Sequence, residues 1–233
     1  MYPSDSIQSI VDWWEPQDTK QITRGTLLKA LVPYHFGSPA RLEAERLPNT
    51  PGDHDRVRFT LKPFTVSTPP PAQKLPVAAL PHHEDVSWRL GAVKPRPVLV
   101  IAETQMKVES ALRKGTPSYQ HEDCFLVAPF FGADKNGQRA GFRPELVDKI
   151  RHCTYPHLLW DHLPYKGATQ NSILRLDQLQ PIVDHYHYRI HTGARLIEDA
   201  MDIVDEFLRW HLTGILEPDS IIHDLRRELG LSA

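Results

Sequence analysis

The chain has 233 residues, of which 40% are hydrophobic and 24% charged, with a net charge of −2. That length can bury a sizeable core, and the balance is ordinary for a globular protein and far from the charge of a strongly basic nucleic-acid binder. No apolar run approaches a membrane span and the N-terminus lacks the pattern of a secretory leader, so a cytoplasmic protein with no membrane partner is expected.

Residues 4–14 place Ile7, Ile10, Val11 and Trp14 at helical spacing, which predicts a short amphipathic helix stopped by Pro16 within a helical extension over 1–22. A strand follows over 26–36, entered through Gly25. Twelve of the 21 prolines then fall between Pro33 and Pro97, including Pro69, Pro70 and Pro71. Proline lacks the amide that a sheet ladder needs, so 37–92 reads as a long insertion wrapped on the domain surface, with 57–61 as one hairpin arm. Residues 98–103 and 124–131 are continuous apolar runs suited to central strands, joined by a polar connection over 104–120. The cluster 132–137 is a turn.

Pro144 in a first turn predicts a short helix over 144–151. Two further strands are expected over 173–179 and 183–190. The apolar stripe Leu196, Ala200, Ile203, Val204, Phe207, Leu208 and His211 predicts an amphipathic helix over 194–213, ended by Gly214. A last helix is expected over 219–229. The fold class is therefore mainly β with α additions: a small β-barrel over 23–193, interrupted by the insertion, with C-terminal helices over 194–233. From residue 194 onward nine acids face four bases. The acidic tail stands beside a mildly basic body.

Two stretches carry chemistry. Arg96 lies between two prolines directly before the apolar run 98–103, where it either grips a phosphate or caps a turn. Arg175 and Asp177 are two apart on a predicted strand, so both side chains leave one face. Such a pair supplies a cation and a carboxylate for a phosphodiester, and a nearby histidine could supply the third group that RNA cleavage requires. The competing reading is an exposed ion pair of little energetic consequence.

The ordered motifs, a strand entered through Arg24-Gly25-Thr26, then RPVLVI, an apolar strand ending in proline, RLDQLQPI and a closing helix, resemble the MazF/PemK family of toxins. The resemblance covers roughly 23–212. It implies a small SH3-like barrel and a metal-independent endoribonuclease that needs no cofactor. Such an enzyme sets the ribose 2′-hydroxyl against the adjacent phosphate of single-stranded RNA. By that resemblance Arg175 stabilises the phosphate and can donate to the leaving oxygen, Asp177 is the general base, and Arg96 holds substrate phosphate. The family also implies a homodimer and a small antitoxin protein as partner. Where the family commonly has a serine or threonine after the strand proline, this chain has Phe130 and Phe131 after Pro129. Those rings, with Gln178, become the candidate substrate-binding residues, since an aromatic there could stack a base.

Two other classes remain open. One is a barrel that kept the fold and lost the chemistry, serving as a protein-interaction or nucleic-acid-binding module. The other is a metal-dependent hydrolase using His185, His187 and His191 on one strand face, although Arg189 among them would repel a cation. His82, His83, Glu84 and Asp85, and His121 beside Glu122 and Asp123, read as solvated loops. Trp13, Trp14, Trp160 and Tyr165 read as core or interface rather than stacking surfaces. Cys124 and Cys153 form no disulfide framework and read as reduced structural residues.

Overall fold

The computed structural model describes residues 2–17, 21–33, 40–46, 57–63, 65, 67, 88–103, 109, 111, 112, 114, 115, 123–134, 141–164 and 171–231. Its contacts divide the chain into two compact units, Met1–Leu31 with Pro95–Ala233, and Val32–Lys94. Pro69–71 and the polar residues 82–85, 121, 122 and 165 lie outside the described residues, as does most of the connection 104–120.

The larger unit is built on β1 (Trp14–Pro16), β2 (Thr26–Pro33), β6 (Val93–Glu103), β7 (Cys124–Gly132), β8 (Leu158–His162), β9 (Asn171–Arg175), β10 (Gln180–Val183) and β11 (Arg189–Leu196). Seven of them run in the order β1-β11-β2-β6-β7-β9-β8, and β10 also pairs with β7. The pairings with a described register are all antiparallel. The molecule is thus mainly β with α additions, and among the described residues the end strands β1 and β8 share no backbone ladder.

The apolar run of β6 explains its central place. Leu99 and Ile101 join the large core cluster, while Val98 and Val100 are equally buried on the alternate positions. The large cluster includes Leu27, Phe130, Leu159 and Leu174 from the sheet, and Ala200, Met201, Ile203, Val204 and Phe207 from helix α2 (Glu198–Thr213). Helix α3 (Ile221–Glu228) adds Ile222 and Leu225. A second cluster sets Ile150 of helix α1 (Pro144–Arg151) with Leu158, Trp160 and Ile173. Gly25 has φ +86°, and a Cβ there would sit 3.2 Å from Met201 Cγ and 3.3 Å from the Leu196 carbonyl oxygen. A turn that tight under α2 requires glycine.

The expected N-terminal helix is absent. Only one 3-10 turn forms, over Ile7–Ser9, and Trp14 instead begins β1 and pairs with Leu196. Ser6 and Ser9 hydroxyls donate to the carbonyls of Pro3 and Ser6. Such local side-chain bonds compete with helix propagation. Likewise the expected strand over 183–190 breaks, because residues 186–188 form a turn between β10 and β11. The helix expected over 194–213 begins later, at Glu198, since Ala194 and Leu196 belong to β11.

In the smaller unit, β3 (Ala40–Arg46) lies between β4 (Val57–Pro63) and β5 (Trp88–Leu90), both antiparallel to it. Leu42 sits opposite Leu61 and Trp88. Glu43 is clamped by Arg41 and by Lys62, whose Nζ lies 2.5 Å from Oε2. The Lys62 hydrogen bond outweighs the effect of burial and, with Arg41, holds the Glu43 carboxyl below the ordinary carboxylate range.

Candidate functional site

Strand register brings three of the residues singled out in the sequence together. Val98 of β6 faces Pro129 of β7, so Arg96 and Phe131, each two positions further along, face one another. Phe131 pairs with Ile173 of β9, and Arg175 lies two positions beyond Ile173 on the same face. The result is a cation shelf. The Arg96 guanidinium stands 3.9 Å from the Phe131 ring centroid and that of Arg175 stands 5.6 Å away.

Arg175 also holds Asp177. Its Nε donates to Oδ1 at 2.7 Å and its Nη2 to Oδ2 at 2.5 Å. The two residues do not share a strand face, however. β9 ends at Arg175, and Asp177 sits on a 3-10 turn over Leu176–Gln178. The pair is made by the turn curling back rather than by strand alternation. Burial works to raise the Asp177 carboxyl, but the hydrogen bond and charge of Arg175 outweigh it and hold the group below its ordinary value.

Two histidines complete the cluster, and sequence reasoning singled out neither for it. His157 precedes β8, and its carbonyl accepts from Leu176 N at 3.0 Å, which ties it to the turn carrying Asp177. Its ring lies 5.7 Å from that of His211 on α2 and 6.2 Å from Tyr155. Partial burial is the main influence holding the His157 imidazole below its ordinary value. Asp177 pulls it upward, and His211 and Arg175 push it down. The only hint in the sequence was His211 at the end of the α2 stripe. A histidine there fits poorly as core.

Phe130 and Gln178 go elsewhere. Phe130 alternates with Phe131, points into the large core cluster and is 2% exposed, so it presents no ring to a base. Gln178 is also buried.

The histidine stretch is not a ligand set. His185 and His187 stack on each other across the start of the 186–188 turn, with centroids 5.0 Å apart. His191 lies apart on β11, with Nε2 against Gln17 Oε1 at 3.1 Å and Nδ1 accepting from Gly193 N at 2.9 Å. Among the described residues, the one group with donor atoms close enough to hold a cation is Asp5, Asp148 and His152. Arg151 Nη2 already lies 2.9 Å from Asp5 and 3.0 Å from Asp148. That cluster latches the N-terminal segment to α1. A broad concavity beside α1, lined in part by Phe142, Arg143, Lys149 and Asn171, includes none of Arg96, Arg175 and Asp177.

A second unforeseen group lies at the sheet ends. Asp161 of β8 is buried and accepts from four donors. Trp13 Nε1 lies 3.1 Å from Oδ2, Trp14 Nε1 3.1 Å from Oδ2, His162 N 2.6 Å from Oδ1, and Tyr2 OH 3.4 Å from Oδ1. Gln8 Nε2 donates to Trp160 O beside them at 2.5 Å. Side chains thus join β1 to β8 where backbone pairing does not. Burial pushes the Asp161 carboxyl up to about 7 although all four donors work to lower it, and burial also pushes the Tyr2 phenol well above its ordinary value.

No protein-family model and no curated protein matches the chain. Among the described residues, no helix is long and apolar enough to cross a membrane.

Proposed function

We propose that this protein is a metal-independent endoribonuclease of the MazF/PemK type, acting on single-stranded RNA in a toxin–antitoxin pair. One observation carries the reading: Arg96, Phe131 and Arg175, from three neighbouring strands, form a single cationic and aromatic surface with Asp177 at its edge. Cleavage through the 2′-hydroxyl needs positive charge at the phosphate, and two guanidiniums supply it without a metal. Phe131, partly exposed between them, is the candidate contact for an unstacked base. In this reading the sheet is a PemK-like barrel whose end strands are closed by the Asp161 hydrogen bonds instead of a ladder. RNA, a small antitoxin that fills the same surface, and a second copy of the chain are the partners.

The test is incubation of the purified protein with single-stranded RNA in chelator. The expected result is fragments ending in cyclic phosphate and 5′-hydroxyl, lost in Arg175→Ala. Intact RNA with the wild-type protein would overturn the activity.

A second reading, an inactive binding module on the same fold, is favoured by the closed Arg175–Asp177 pair and by Arg96 lying over Phe131. It predicts retention of single-stranded RNA without cleavage.

A further inference from the structure

Asp177 is poorly placed to take a proton. Each of its oxygens already accepts a charge-assisted hydrogen bond from Arg175, at 2.7 and 2.5 Å. Protonating it would dismantle the ion pair that holds the guanidinium in place. The turn bearing Asp177 touches both β7 and α2. It therefore links the cation shelf on the sheet to the imidazoles of His157 and His211, whose rings lie 5.7 Å apart.

Resting on the ribonuclease reading above, we infer that His157 is the general base of this site and His211 its general acid, with Asp177 a positioning residue that fixes Arg175. The proton balance closes on those two rings. Neutral His157 takes the 2′-hydroxyl proton as the 2′-oxygen bonds to the adjacent phosphorus. The bond from phosphorus to the 5′-oxygen breaks, and that oxygen receives a proton from His211 in its imidazolium form. The products are a 2′,3′-cyclic phosphate and a 5′-hydroxyl, and proton exchange with water resets the pair. Arg175 and Arg96 meet the charge on the phosphoryl oxygens.

The charged and titratable groups facing His157 are Asp177 and Arg175 from the end of β9 and its turn, His211 from α2, and Tyr155 on its own loop. Burial, Arg175 and His211 favour the neutral imidazole, which suits a base near neutral pH.

The experiment follows initial cleavage rates of a mixed-sequence single-stranded RNA from pH 5 to 8.5, using the full chain and its His157→Ala, His211→Gln, Asp177→Asn and Arg175→Ala variants. Both histidines are only partly buried, and melting curves check that each variant folds. The expected result is a loss of about 100-fold or more in His157→Ala, with the acidic limb of the pH profile abolished. Added imidazole should restore part of that rate, which a merely structural histidine would not allow. Asp177→Asn should lower the rate while keeping the acidic limb. Loss of that limb in Asp177→Asn with an unchanged rate in His157→Ala would overturn the assignment and leave the ribonuclease reading intact. Absence of cleavage by the unaltered chain would overturn both.

Discussion

Asp161 makes stability depend on pH in an unusual direction. Its carboxyl titrates near 3.8 in an unfolded chain and near 7 in the fold, because burial disfavours the charge. The folded state therefore holds a proton that the unfolded state has released across that window. By linkage, the stabilisation is fully present below about pH 4, is lost progressively as pH rises toward 7, and changes no further above it. At about 1.4 kcal/mol for each tenfold in proton affinity, the displacement corresponds to roughly 4 kcal/mol. Asp161→Asn removes the titration. It also sets an amide nitrogen against at least one indole N–H, a cost of about 1–3 kcal/mol. Urea unfolding of both proteins from pH 4 to 8, followed by tryptophan fluorescence, gives the difference profile that isolates this group from the other titrating side chains. The wild type should lose stability relative to Asp161→Asn as pH rises, so that the deficit of the variant shrinks or reverses by pH 8. A difference profile that stays flat from pH 4 to 8 would refute the argument.

Other consequences can be checked separately. Gly25→Ala should destabilise the fold by at least about 1–2 kcal/mol in thermal or urea unfolding, since alanine pays the left-handed backbone penalty and its Cβ presses on Met201 and the Leu196 carbonyl. Phe207→Ala, at a fully buried position where α2 meets the sheet, should cost about 3–5 kcal/mol in the same assay. Arg96→Ala should weaken binding of single-stranded RNA and reduce the salt slope of log affinity by about one, as expected for one lost phosphate contact. The Cys153 thiol, pushed up to about 12 by burial, should resist iodoacetamide at pH 8 in the folded protein and react after denaturation.

What could be read from the sequence followed from how much each segment's burial depends on its own residues. The apolar runs in β6 and β7 can only be central strands, and Pro144 sets the start of α1. β8 was missed because LLWDH is short, follows a proline and ends in polar residues. Its Asp161 is buried against tryptophans that lie 148 and 147 positions earlier in the chain. The start of α2 was misjudged because Leu196, inward-facing on β11, happens to continue the helical spacing of Ala200 and Ile203. In the HYHY stretch, alternation suggested a strand where the rings stack at a turn. Within the candidate site, Arg96, Arg175 and Asp177 could be found because their motifs are local. His157 and His211 could not, since their meeting depends on α2 folding back over the end of β9. Phe130 and Phe131 are adjacent, so strand alternation sends one to the core and the other to the surface, and only the fold decides which.

The course of β2 and β6 bears on how the chain came to be as long as it is. Gly25, at the entrance of β2, donates to Val100 of β6, and the two strands are neighbours in the sheet. The segment Val32–Lys94, which forms the smaller unit, is therefore inserted in the chain between two strands that are neighbours in the same sheet. Lengthening a loop adds only about 0.6 kcal/mol of closure entropy for each doubling. A whole extra module can therefore be carried between two sheet neighbours at little cost in chain entropy.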